Sequence, residues 1–226
     1  MSVMNYKDGG KSNPEILMFG PHVVMSEASD ELIETLLRKG NEIRGKEEHD
    51  FTHGLAGRIK EEYQYHGWNE WFVPLFHKHV IEYVSATPRS RSREILTELD
   101  VIRWDLKSLW VNYQKKAEYN PPHCHNGDIS FVIYPSIPEE LYTEPTGTAN
   151  DDQVKGGNIV FEYNERHFQN FLSFTTACQN IQPHTGMIIM FPSYLTHHVY
   201  AFQQDVERVS VSGNINIRHN YNYRGT

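Results

Sequence analysis

Tyr119-Asn-Pro-Pro-His-Cys-His-Asn-Gly-Asp128 is the stretch on which the reading of this chain turns. Its two prolines fix their own φ and bias the residue before each towards an extended backbone. His123 and His125 follow, one residue apart, and a β-strand points residues i and i+2 to one face. A strand opening at His123 therefore presents two imidazoles side by side and turns Cys124 the other way. Ile129-Ser-Phe-Val-Ile-Tyr134 continues as a β-rich run. Two neighbouring imidazoles at a strand entrance make half of a metal site. In a chain with 13 histidines the pair is weak by itself, because two water-bonded strand histidines leave the same trace.

Outward from this stretch the apolar pattern has period two. Ser108-Leu-Trp-Val-Asn-Tyr-Gln114 alternates as a half-buried strand does. Further strands are predicted over residues 123–125, 129–134, 158–163, 174–181, 186–191, 198–202 and 208–217. Short strands at this spacing predict a double-sheet jelly roll. Residues 135–157, rich in Pro, Glu, Thr, Gly and Asp, read as a surface loop or lid.

Before about residue 100 the pattern is helical. Ser26 or Ser29 caps a helix that places Leu32, Ile33, Leu36 and Leu37 on one face and stops at Gly40. A second helix is predicted over residues 55–65. A third covers 69–84, with Trp71, Phe72, Leu75, Phe76, Val80, Tyr83 and Val84 as its core face and Pro74 near its first turn. Residues 1–14 read as a polar tail, 15–20 and 22–25 as extended, and 87–93 as a basic turn. The expected architecture is mainly β with N-terminal helices packed on one outer face. It is one domain, with residues 1–100 as tail and helical support and 101–226 as the β core.

Composition narrows the function classes. A length of 226 residues suits one well-buried domain, and 38% hydrophobic with 22% charged residues is ordinary for a globular protein. No apolar run approaches the ~18 residues of a membrane span, and the N-terminus has no signal-peptide core, so a cytoplasmic location is expected. Two cysteines, Cys124 and Cys178, make no disulfide framework. With 21 basic against 29 acidic residues, the net charge of −8 disfavours a phosphate-backbone partner.

The second half of the site comes from the C-terminal third. His197 stands in Phe191-Pro-Ser-Tyr-Leu-Thr-His-His-Val199, and Arg208 opens Arg208-Val-Ser-Val-Ser-Gly-Asn214. With Asn120-Pro-Pro-His-Cys-His125, Ser130-Phe-Val-Ile-Tyr134 and Pro183-His-Thr-Gly186 they form an ordered set over most of residues 106–217. The set resembles the double-stranded β-helix oxygenases that use Fe(II) and 2-oxoglutarate, and within them a branch found in bacteria and phages. That resemblance implies a double-stranded β-helix fold with Fe(II), 2-oxoglutarate and O2 as its cofactor and co-substrates. It also implies hydroxylation of a C–H bond in a peptide side chain or a small metabolite.

By the same resemblance His197 is a metal ligand and Arg208 pairs with the distal carboxylate of 2-oxoglutarate, a task for which a planar guanidinium is suited. Ser210 would add a hydrogen bond to the co-substrate. Tyr134, with Asn112 and Tyr113, would flank the cavity, and Trp110 and Tyr194 would line its mouth. His198 would point away, and Cys124 would pack behind the ligands. One departure matters: the superfamily has His-x-Asp or His-x-Glu where this chain has His-x-His. Three arrangements follow: a metal held by His123, His125 and His197, a carboxylate supplied by Asp128, or two protein ligands completed by water. A neutral third ligand would leave the site one unit more positive. The rival readings are a three-histidine cupin-like enzyme without 2-oxoglutarate, a non-catalytic jelly-roll binding protein and a three-histidine zinc hydrolase. Arg208 weighs against the cupin-like and zinc-hydrolase readings, which give it no partner, while the non-catalytic reading predicts that the three histidines do not converge or bind no metal at useful affinity.

Overall fold

The computed structural model describes residues 20–86, 103–143, 155–163 and 178–218. The tail, the extended run at 15–20 short of Gly20, the basic turn and the start of the strand at 174–181 lie outside them. Two antiparallel sheets face each other. The larger has the order β1 (Val24–Glu27), β8 (Met187–Pro192), β5 (Ile129–Ser136), β10 (Arg208–Ile217), β3 (Trp104–Gln114), β2 (Glu62–Gln64). The smaller has the order β4 (Asn120–His123), β9 (Thr196–Val199), β6 (Ile159–Glu162), β7 (Cys178–Ile181). From β3 to β10 the chain crosses repeatedly between the sheets, so that β8-β5-β10-β3 faces β4-β9-β6-β7. That nesting of two Greek keys is the double-stranded β-helix, an eight-stranded jelly roll. β1 and β2 extend its larger sheet at either edge.

Period two in the strands divides the side chains between two cores. Leu109, Val111, Phe131, Ile133, Ile188, Met190, Val209 and Val211 face outward and pack under two helices, α1 (Asp30–Ile43) and α2 (Trp68–Ala86). Tyr134, Phe161, Ile189, Phe191, Leu195 and Phe202 fill the space between the sheets. α1 starts as expected: the Ser29 hydroxyl accepts a hydrogen bond from the Leu32 N–H at 3.3 Å. Gly40 does not stop it. The helix runs on to Ile43, and a Cβ at position 40 would meet the Tyr113 hydroxyl at 2.6 Å, so glycine there permits close packing on β3. α2 begins at Trp68, which places Pro74 in the second turn rather than the first, at the loss of one backbone hydrogen bond. Phe72 stacks on Phe131 and Phe76 packs tilted against it, with centroids 5.7 and 4.4 Å apart, and both are core residues as their spacing predicts.

Three expectations are corrected. Residues 55–65 form no helix: a 3-10 turn at Thr52–Gly54 is followed by irregular chain and then by β2, whose Glu62, Tyr63 and Gln64 pair with Asn112, Val111 and Trp110. Pairing with the open edge of β3 outweighs helical spacing in a segment interrupted by Gly54 and Gly57. The strand expected at 198–202 lies earlier, at Thr196–Val199. The 135–157 insertion is not all surface, because Ile137 and Leu141 are buried in the inner core. No helix of the described residues is long and apolar enough to cross a membrane.

Candidate metal centre

β4 is an edge strand of the smaller sheet, a place where prolines remove no ladder hydrogen bond. Pro121 and Pro122 sit where its register with β9 shifts, and the shift sets His123 directly opposite His197. β4 then ends, so His125 is not the next inward residue of a strand as the His-x-His spacing predicts. It comes from the following turn, where its N–H donates to the Ser193 carbonyl at 2.9 Å. The three imidazoles still converge. Their ring centroids are 4.9 Å apart for His123 and His125, 4.4 Å for His123 and His197, and 5.1 Å for His125 and His197. One nitrogen from each lies within 4.8 Å of the others.

Backbone carbonyls select the tautomers. Nδ1 of His123 lies 2.7 Å from the Pro121 carbonyl oxygen, and Nδ1 of His197 lies 3.0 Å from that of Leu195. A carbonyl only accepts, so each Nδ1 carries the proton and each Nε2 keeps a free lone pair. Burial favours the neutral form of all three rings. It lowers the pKa of His123, and with the neighbouring histidines it brings His125 to about 4 and His197 to about 3. Neutral imidazoles clustered in this way suit a divalent transition metal.

Asp128 lies outside this cluster. Its carboxylate accepts the Ile217 N–H at 2.7 Å, at the far end of β10. The Phe-Pro-Ser segment has a mechanical part: Ser193 donates its N–H to the Asp128 carbonyl at 3.2 Å, and its hydroxyl lies 2.8 Å from that of Ser130. Ser130 in turn donates to Asn214 Oδ1 at 2.7 Å, whose amide nitrogen donates to Ser108 at 3.0 Å. The turn that carries His125 is thus tied to β5, β10 and β3.

The histidines line a cavity of about 180 Å³ between the sheets that also holds Trp110, Asn112, Tyr134, Arg208 and Ser210. Arg208 is 2% exposed. Its Nη1 donates to Gln114 Oε1 at 3.0 Å and to the Ser210 hydroxyl at 3.4 Å, and its guanidinium carbon lies 4.9 Å from the Tyr134 ring centroid. Nε and Nη2 have no partner among the described residues. Those two nitrogens form the guanidinium edge that grips a carboxylate through parallel bonds. A buried cation without a counter-ion is costly, and burial depresses its pKa. The site therefore fits an anion at this end and a metal at the other.

Of the softer assignments, Trp110 is buried in the cavity wall while Tyr194 is 63% exposed. Tyr113 belongs to the outer core, under the Arg44 guanidinium. His198 is buried beside Tyr200. Cys124 is exposed at the cavity mouth and does not pack behind the ligands, because the strand that would have turned it to the face away from the histidines ends at His123. Gln114, Asn120 and Glu62 were not singled out by sequence. Gln114 closes the predicted strand 108–114, and its inward phase was the available signal.

Residues 108–214 match the family model described as "Putative 2OG-Fe(II) oxygenase". The match takes in 107 of the 226 residues. No curated protein matches the chain in sequence. Solved structures that resemble it include a prolyl-4-hydroxylase of Pseudomonas putida, at 12% identity over 87% of this chain and 92% of that one, with a TM-score of 0.47. The viral collagen prolyl hydroxylase of Paramecium Bursaria Chlorella virus-1 shares 15% identity over 85% and 94%, with a TM-score of 0.46. HygX of Streptomyces hygroscopicus, solved with nickel, 2-oxoglutarate and hygromycin B, shares 9% over 87% and 83%, with a TM-score of 0.47.

Proposed function

We propose that His123, His125 and His197 hold the Fe(II) of this dioxygenase, that Arg208 and Ser210 hold 2-oxoglutarate beside Tyr134, and that a peptide side chain or a small molecule is hydroxylated. The observation that carries this reading is one cavity lined both by three clustered imidazoles and by a buried guanidinium with an unpartnered edge. When bound, the metal supplies the redox chemistry by which 2-oxoglutarate and O2 become succinate and CO2 while one oxygen atom enters the substrate C–H bond.

The remaining work falls to the chain. Pro121 and Leu195 hold the His123 and His197 rings in the tautomer that leaves Nε2 free. Gln114 fixes Nη1 of Arg208 and donates its own amide to the Glu118 carbonyl at 2.7 Å, so the open edge keeps its aim. Tyr134, its phenol pushed up to about 12 chiefly by burial, stays neutral and serves as a donor. Burial excludes bulk water, which strengthens each of these contacts.

The test is succinate formation from 2-oxoglutarate after oxygen is admitted to anaerobically iron-loaded protein, with His197→Ala as control. Succinate in the wild type and none in the control is expected. Full iron occupancy in His197→Ala would overturn the ligand assignment. Failure of 2-oxoglutarate to bind the metal-loaded wild type would overturn the role of Arg208.

A further inference from the structure

The larger sheet, which carries Arg208 on β10, also brings a carboxyl group into the same cavity from β2. Glu62 is 1% exposed and lines the cavity with the three histidines. Neither of its carboxyl oxygens has a hydrogen-bond partner among the described residues. It reaches the interior because β2 pairs with β3 in the register Glu62↔Asn112, and Asn112 is itself opposite Ser210 on β10. The segment Gly54–Gly57, which also lines the cavity, covers it. That cover is fastened by the Phe51 N–H on the Glu62 carbonyl at 2.9 Å and the Arg58 N–H on the Tyr119 carbonyl at 2.8 Å.

A buried carboxyl is ordinarily paired, and leaving one unpaired is costly. Arg208 lines the same cavity, yet no ion pair joins it to Glu62 among the described residues. The side-chain oxygens of Asn112 and Asn120 are also buried without partners. A Cβ at Gly57 would lie 2.5 Å from Asn120 Oδ1 and 3.5 Å from Glu62 Oε1, so both oxygens border one small space kept open by a glycine. Unpartnered donors at the Arg208 end call for an anion. Unpartnered acceptors at the Glu62 end call for the reverse.

We infer that the substrate carries a cationic nitrogen, an ammonium or guanidinium group, and that it docks on the Glu62 carboxylate with the side-chain oxygens of Asn120 and Asn112. This rests on the dioxygenase reading of the site. The cavity gives room for such a group to enter attached to a larger molecule, because a groove of about 430 Å³ shares Leu55, Trp110, Cys124 and His125 with it and leads outward past Phe51, Asn126 and Asn216. Burial, with Glu118 and Asp50 nearby, pushes the Glu62 pKa up to about 8, as expected of a carboxyl that lacks its counter-charge until a ligand arrives.

The experiment uses matched four-carbon probes: butylammonium, butylguanidinium, butyramide and butyrate. Each is titrated into the full chain loaded with Mn(II) and 2-oxoglutarate, under argon. Binding is read from the relaxation enhancement of probe protons, with a Zn(II)-loaded sample as the diamagnetic control. The two cations should bind at least tenfold tighter than butyramide and butyrate, and Glu62→Gln should erase that preference. Gly57→Ala, which fills the space beside Glu62 and leaves every charge in place, should weaken cation binding independently. Equal affinity for all four probes, no binding of any, or a preference that survives in Glu62→Gln overturns the inference. Failure of 2-oxoglutarate to bind the wild type is a separate result and overturns the co-substrate reading. A cation preference that persists without it leaves the Glu62 subsite standing.

Discussion

Arg208 is buried and charged, and its carboxylate-binding edge has no partner. Truncating one partner of a buried charge pair costs roughly 2–5 kcal/mol. Arg208→Ala is therefore expected to weaken 2-oxoglutarate binding by about a hundredfold or more while metal binding persists. The check is thermal: 2-oxoglutarate at about 100 times its wild-type Kd adds ~2.7 kcal/mol to the metal-loaded wild type and should add no more than about 0.4 kcal/mol to the variant. A variant stabilised as much as the wild type would place the co-substrate elsewhere. Glu62 makes a second prediction. Its pKa is about 8 when folded against 4.5 for the free side chain, so between those values the folded chain keeps a proton that the unfolded chain has released. Its contribution to stability therefore falls as pH rises, by up to about 1.4 kcal/mol per unit. The buried histidines act in the opposite direction, since their lowered pKa values make the folded chain lose stability as pH falls below 6.5. Comparing metal-free wild type with Glu62→Gln isolates the carboxyl: the melting temperature of the variant should gain on the wild type from pH 5 to pH 8. A constant gap would sink the assignment. His123, His197, Arg208 and Ser210 were legible in the sequence because they sit in motifs with fixed local spacing. Glu62 and Gln114 matter only through partners across the sheet, which spacing along one strand does not show.

β10 shows how much an element reveals. Its alternation sends Val209 and Val211 to the helical layer and Arg208, Ser210 and Ser212 to the cavity, as a half-buried strand must. That was readable, as were α1 and α2 from their 3.6-residue spacing. β2 was not, because three residues carry too little periodicity and Ile59 with Tyr63 also fits a helix. Its identity is set by the unpaired edge of β3. The His-x-His spacing predicts one strand face, yet a register shift and the end of β4 deliver the same convergence from a strand and a turn. Gly213 in β10 gives the element its own test. A Cβ there would stand 2.4 Å from Phe131 Cζ and 2.7 Å from the Ser108 carbonyl oxygen. Phe131 is packed between Phe72 and Phe76 and cannot turn aside freely, and the carbonyl is backbone. Gly213→Ala should therefore lower stability by about 1–3 kcal/mol, read as a shift of the urea midpoint with little change in slope. An unchanged midpoint would mean that the sheet yields where β3, β5 and β10 meet.

For the whole molecule, the pattern changes period near residue 100, and the chain is not expected to tolerate a cut there. The larger sheet takes an edge strand from the N-terminal region on each side, β1 against β8 and β2 against β3. Leu32, Leu36, Phe72, Phe76 and Val80 of the helices share one core with Leu109, Val111, Phe131, Ile133, Ile188 and Val211 of the sheet. Residues 54–57 and Glu62 form a wall of the cavity. A fragment of residues 101–226 would keep the eight jelly-roll strands and the histidines. It would also expose the outer apolar face and leave β3 and β8 as open edges, which invites edge-to-edge association. That fragment is expected to aggregate, or to stay soluble without a cooperative melt. The full chain is expected to unfold in one step, with far-UV and near-UV circular dichroism transitions that coincide. A soluble fragment with a sharp melt and full metal affinity would show that the barrel stands alone and the helices are an accessory. Separate transitions in the full chain would point the same way. The placement of Glu62 favours the single unit, because the segment that completes the larger sheet also supplies the cavity's buried carboxyl.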